Sequence, residues 1–187
     1  MAELSRSASG IPYEVSGSGA PAFVFLAESG GASAWGAQVT DLAVTNQCIV
    51  VEVRDIDQLA RVLGDLQPGP VIMAAHGKMG LLTLPFFEHF PEAVNGVLLI
   101  DPPLPPADDS ERLNAEGMLK LIDKKPFMVI WPEEPAGDPA WLRDITMFVR
   151  QEPVAGATSD PRSEQPAITN ALLRAFLDDV KNDPRLE

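Results

Sequence analysis

Few residues in this chain are equipped for chemistry. Its 187 residues include two histidines, His76 and His89, and a single cysteine, Cys48. The informative polar residues are those that directly follow an apolar run. Glu28 comes just after Phe23–Leu26, Asp101 after Val97–Ile100, and Glu133 and Glu134 after Phe127–Trp131. His76 closes the run Val71–Ala75. Carboxylates and imidazoles at such ends can be drawn partly out of water, which moves their pKa toward the range useful for proton transfer. Glu28 is the first candidate acid/base, with Asp101 and His76 second. Each also has a plainer reading: a solvated loop glutamate, a strand-terminating D-P-P turn and a packed core histidine.

The runs themselves suggest how these residues are held. Ile11–Val15, Phe23–Leu26, Cys48–Val53, Val71–Ala74, Val97–Ile100, Phe127–Trp131 and Thr146–Val149 read as strands. Between them lie amphipathic stretches near Trp35–Ala43, Asp55–Leu66, Leu81–Phe90, Leu113–Ile122 and Ile168–Val180. Within Asp55–Leu66 the apolar positions Ile56, Leu59, Ala60, Val62, Leu63 and Leu66 recur at the spacing of one helical face. Continuous apolar strands alternating with such helices predict an α/β fold: a mostly parallel, doubly wound sheet covered on both sides. Ligands of such folds bind in the crevice beyond the carboxyl ends of the strands, where Glu28, His76, Asp101 and Glu133 all fall.

Composition bounds the remainder. The chain is long enough for one domain, expected over 11–181, with tails at 1–10 and 182–187. Net charge is −13, from 14 basic and 27 acidic residues, which disfavours nucleic acid and anionic membrane partners. One cysteine cannot form an internal disulfide, and Cys48 opens an apolar run, so a buried, unreactive thiol is expected. The start of the chain lacks the charged-then-apolar pattern of a signal peptide, so a cytoplasmic location is the default expectation. No metal-ligand spacing, G-x-G-x-x-G or P-loop sequence is present, so no cofactor is expected.

Four segments together resemble the α/β-hydrolase fold superfamily. Phe23–Trp35, F-V-F-L-A-E-S-G-G-A-S-A-W, looks like its oxyanion strand and loop, and Ala75–Gly80, A-H-G-K-M-G, like its nucleophile elbow. Phe90–Pro102 is similar to the passage after the elbow, and Glu164–Leu177, beginning E-Q-P, to the closing helix. The resemblance implies a short, lid-poor member, because only a proline-rich turn and one helix separate Asp101 from Pro126. It also implies a missing Ser-His-acid triad. The serine position carries Gly77, the acid falls near Pro135, and the histidine falls on Ser159. Acyl transfer needs a nucleophile, an adjacent base and oxyanion donors, so serine-type hydrolysis is not expected.

The resemblance places Ser29, Gly77, Lys78, Trp131 and Glu133 at the rim of the crevice as substrate-contacting candidates. Lys78 in particular could face an anion. Lys78, Trp131 and Glu133 again have plainer readings, as an exposed lysine, a core indole and a solvated acid. Three functions follow in order. The first is a non-hydrolytic cyclase, isomerase or lyase acting on a small, largely apolar metabolite by preorganisation with carboxylate help. The second is a non-catalytic pseudo-hydrolase that binds a small molecule or a protein partner. The third is an atypical hydrolase. A missing lid makes a homodimer a further expectation.

Overall fold

The computed structural model describes residues 5–8, 10–28, 30, 32–106, 108–122, 124–146 and 148–186. Among the described residues eight strands form one sheet: β1 (Ser5–Arg6), β2 (Pro12–Ser16), β3 (Ala22–Ala27), β4 (Cys48–Glu52), β5 (Val71–His76), β6 (Val94–Ile100), β7 (Phe127–Trp131) and β8 (Val149–Pro153). Their spatial order is β1-β2-β4-β3-β5-β6-β7-β8. The six strands from β4 to β8 run parallel, and β1 and β2 add an antiparallel ribbon at one edge. The helices are α1 (Gly36–Leu42), α2 (Ile56–Leu66), α3 (Gly80–His89), α4 (Asp109–Ile122), α5 (Pro139–Ile145), α6 (Pro161–Glu164) and α7 (Pro166–Lys181).

Strand periodicity divides the interior into two layers. On β3, Val24 and Leu26 join one core while Phe23, Phe25 and Ala27 join the other. On β7, Val129 and Trp131 face the first layer, and Met128 and Ile130 the second. The first layer is closed by α2, α3, α4 and α5, through residues such as Leu59, Leu84, Leu119 and Leu142. The second is closed by α1 and α7, through Leu42, Leu173 and Phe176. With period-2 side chains and apolar partners on both faces, these strands have no solvated side, which is why they read as unbroken apolar runs.

Three expectations change. Ser5–Arg6, within the stretch read as a loose tail, pairs with β2, Ser5 opposite Tyr13. The last strand lies at Val149–Pro153, not Thr146–Val149, and Thr146 instead ends α5. That strand is an edge strand carrying Arg150, Gln151 and Glu152, so its sequence lacks the apolar run that marks the buried ones. The short helix α5, started by the Asp138 side chain accepting from the Ala140 N–H at 2.8 Å, was not foreseen. The buried thiol of Cys48 agrees with expectation, and burial pushes its pKa up to about 12.

Phe176 is 1% exposed and packs α7 onto the second layer. Phe176→Ala is expected to lower unfolding free energy by about 3–5 kcal/mol, read from urea denaturation with an unchanged m-value.

Candidate functional site

The polar groups gather where β3, β5, β6 and β7 end. β5 is buried up to Ala75, and His76 carries the chain out of the sheet. Gly77 then turns with φ +56° into a short 3-10 turn, Gly77–Met79, before α3. That left-handed conformation strains any residue with a Cβ, and glycine adopts it without strain. No atom lies within 4 Å of where a Cβ on Gly77 would sit. The corner therefore has strand–turn–helix form with open space above it and no side chain to fill that space.

Beside the corner lies a charged cluster centred on residues that the sequence did not single out. Asp160 caps α6 and holds Arg162 through both carboxylate oxygens. Its Oδ1 accepts from the Arg162 backbone N–H at 3.0 Å and from Nε at 2.9 Å, and its Oδ2 accepts from Nη2 at 2.9 Å. The guanidinium of Arg162 lies 4.4 Å from the ring centroid of Trp35, a cation–π contact. The Trp35 indole is fixed in turn by donating to the Leu26 carbonyl at 3.1 Å, and Gln38 donates to the Arg162 carbonyl at 3.1 Å. A buried cation is thus paired, stacked and held by its backbone.

His76 stands at the edge of this cluster. Its Nε2 is buried with no hydrogen-bond partner, 3.8 Å from Asp160 Oδ1. Burial and then the Arg162 charge hold its pKa below the ordinary 6.5, against the opposing pull of Asp160 and Asp101. Burial works against the charge of Asp160, but hydrogen bonds and charge from Arg162 outweigh it and leave its pKa low.

Asp101 ends β6 with φ +45°, a strained conformation for a side-chain-bearing residue. It is buried, and its Oδ1 accepts from the Ala136 N–H at 2.7 Å. Burial raises its pKa, with the Ala136 N–H as the main opposing influence. Gly137 lets the two loops meet, since a Cβ there would stand 2.4 Å from the Pro102 carbonyl oxygen and 2.7 Å from that of Leu104.

The loop that the resemblance aligns with the family's histidine is organised by Glu164. Its carboxylate accepts from the backbone N–H groups of Thr158, Ser159 and Asp160 at 2.6, 3.0 and 2.8 Å, and from the Ser159 hydroxyl at 2.8 Å. These donors pull its pKa down to about 2. Ser159 is therefore a ligand of Glu164, tied into the loop.

The expected site residues separate into two groups. His76 and Asp101 lie in one electrostatic neighbourhood with Asp160. Glu28 does not join them. It is exposed, the plainer of its two readings, and pairs with Lys78 Nζ at 3.1 Å. Both line a groove of about 440 Å³ with Val53, Arg54, Met79, Leu81 and Leu82. Trp131 is a core residue, 3% exposed, whose Nε1 donates to Gln151 Oε1 at 2.8 Å on the neighbouring strand. It is not a crevice wall. Glu133 is an exposed acid, the plainer of its two readings, and its backbone N–H donates to the Ala157 carbonyl. Ser29 lies outside the described residues. Arg162 and Asp160 were missed because only the loop holding them was recognisable, and Arg54 because nothing in sequence sets it beside Lys78.

Folding lowers the pKa of His76 below the free value of 6.5, so its contribution to stability is complete above that value. It is lost as pH falls below that value, where the unfolded chain takes up the proton first. In a side-chain NMR titration His76 is expected to have its midpoint below 6.5. Arg162→Met should move that midpoint upward, because the repelling cation is gone and Asp160 remains; an unmoved midpoint would contradict this account.

The sequence matches no known family description and no curated protein. Solved structures are similar over nearly the whole chain. A thermophilic esterase from Thermogutta terrifontis, with malate bound, superposes with a TM-score of 0.78 at 15% identity, covering 96% of this chain and 99% of that one. Carboxylesterase CesB (YbfK) from Bacillus subtilis gives 0.74 at 12% identity, covering 95% and 92%. E-2-(acetamidomethylene)succinate hydrolase gives 0.77 at 12%, covering 95% and 100%. Among the described residues no helix is long and apolar enough to cross a membrane. The sheet order, the glycine corner after β5 and these superpositions establish that this chain has the α/β-hydrolase fold.

Proposed function

We propose that this protein is a hydrolase-fold binding protein, which holds a small molecule at the strand ends without forming an acyl-enzyme. The observation that carries this reading is Gly77, which stands at the left-handed corner of an otherwise intact strand–turn–helix. The fold delivers nothing there that can attack a carbonyl. Two further features support it. The loop that aligns with the family's histidine holds the Asp160–Arg162 pair stacked on Trp35 instead, and its Ser159 is bound to Glu164. The groove nearest the corner is open, and its flanking acid, Glu28, is solvated. An enzyme relying on preorganisation needs the opposite, an enclosed apolar cavity around a desolvated carboxylate. A cyclase, isomerase or lyase with Glu28 as its acid/base accordingly ranks second.

That second reading keeps one specific support. Asp101 is a buried carboxyl with a raised pKa, close enough to His76 for their charges to interact, and perturbed pairs of this kind gather at catalytic sites. The Ala136 N–H and the close fit at Gly137 give Asp101 a structural role that accounts for the same features.

Acylation separates these readings from hydrolysis. Wild-type protein is expected to give no stoichiometric burst with p-nitrophenyl acetate and no labelling by a fluorophosphonate. A burst mapped to a serine or threonine at the strand ends would overturn the proposal. If a substrate is found, loss of turnover in Asp101→Asn with folding retained would favour the enzyme reading.

A further inference from the structure

We infer that the groove beside the glycine corner takes an amphipathic carboxylate, its anionic end on Lys78 and Arg54 and its apolar body over Met79, Leu81, Leu82 and Val53. The inference rests on the binding reading and names the ligand class for it. At about 440 Å³ the groove falls within the roughly 300–1,000 Å³ typical of small-molecule sites. Met79, Leu81 and Leu82 are only partly covered although they pack against the core, so they leave apolar surface where a ligand can shield it.

Charge gives the groove its polarity. In a chain of net −13, this groove is lined by two cations and one carboxylate. Among the described residues the Arg54 side chain joins no ion pair. Asp55 accepts from the Gln58 N–H at the start of α2, and Gln58 Oε1 accepts from the Arg54 backbone N–H. Glu28 already demonstrates the recognition, since its carboxylate sits 3.1 Å from Lys78 Nζ at the groove wall. It is an internal stand-in for the carboxylate of a ligand, and both partners are exposed enough for it to swing away. Glu28 is thus a competitor for the ligand, the reverse of the role its position suggested.

The competition fixes the sign of an otherwise ambiguous mutation. In an amide chemical-shift titration with octanoate at pH 7, the expected result is perturbation of Val53, Arg54, Lys78, Met79, Leu81 and Leu82. Lys78→Met and Arg54→Met should each weaken binding about three- to fivefold, the scale of an exposed ion pair. Glu28→Gln should strengthen it about threefold, on the same scale. All three side chains are exposed, so these variants should fold as wild type, which a thermal melt checks. Octan-1-ol serves as the uncharged control and should bind more weakly. Equal binding of octan-1-ol and octanoate, or weaker binding in Glu28→Gln, would overturn the carboxylate assignment and leave a ligand groove standing. Shifts with neither compound would overturn the groove as a binding site altogether. An acetate burst, by contrast, would overturn the non-acylating reading itself.

Discussion

A strand buried on both faces has no side chain to spare for chemistry. The buried apolar side chains of β3, β5, β6 and β7 divide between the two layers, so His76 and Asp101 emerge where the backbone leaves the sheet. That constraint sets His76, Asp101, Glu28 and Glu133 at strand ends, and it makes the loops there answerable for everything the protein does. It also sharpens the consequence of any one residue at an end, because the sheet offers no substitute from within.

What the loops do with that space is partly electrostatic closure. A guanidinium inside the crevice would be costly if bare, yet Arg162 is satisfied by two carboxylate oxygens, an indole face and a fixed backbone. Once seated, it adds to burial, the larger cause, in lowering the pKa of His76. The same carboxylate that pairs with Arg162 is the nearest acid to His76, so the imidazole lies between opposing influences with burial tipping the balance. Glu164 performs a related task one turn away, gathering three N–H groups of the loop Thr158–Asp160. The crevice is thus ordered largely by charge pairs that satisfy one another, with His76 Nε2 left unpartnered beside the glycine corner.

The sheet was legible in sequence because burial on both faces writes itself as apolar runs. Phe23–Leu26, Val71–Ala74, Val97–Ile100 and Phe127–Trp131 all fall inside observed strands. Legibility failed where that cause is absent: edge strand β8 is polar, and β1 is two residues long. The site was harder to read. Position along the chain placed Glu28 and Asp101 alike at strand ends, but burial depends on what packs over each. Asp101 is covered by the loop that Gly137 admits, whereas the space over Glu28 is open, so one carboxyl is desolvated and the other pairs with Lys78 in solvent. Trp131 kept two readings for a related reason, since an indole at the last position of a strand can point into a layer, as it does here, as readily as into the crevice.

The glycine corner closes the physical account. A side chain at Gly77 would have to hold φ near +56°, a conformation that costs a non-glycine residue of order 1–3 kcal/mol. Folds keep such strain when a residue there must project into the crevice. Without that need, glycine removes the strain while preserving the turn, the start of α3 and the registry of Lys78 beside Glu28. A glycine at this corner and the retention of the fold are therefore not in tension. Glycine relaxes the backbone at the corner, beside the groove that Lys78 and Arg54 line together with Met79, Leu81 and Leu82.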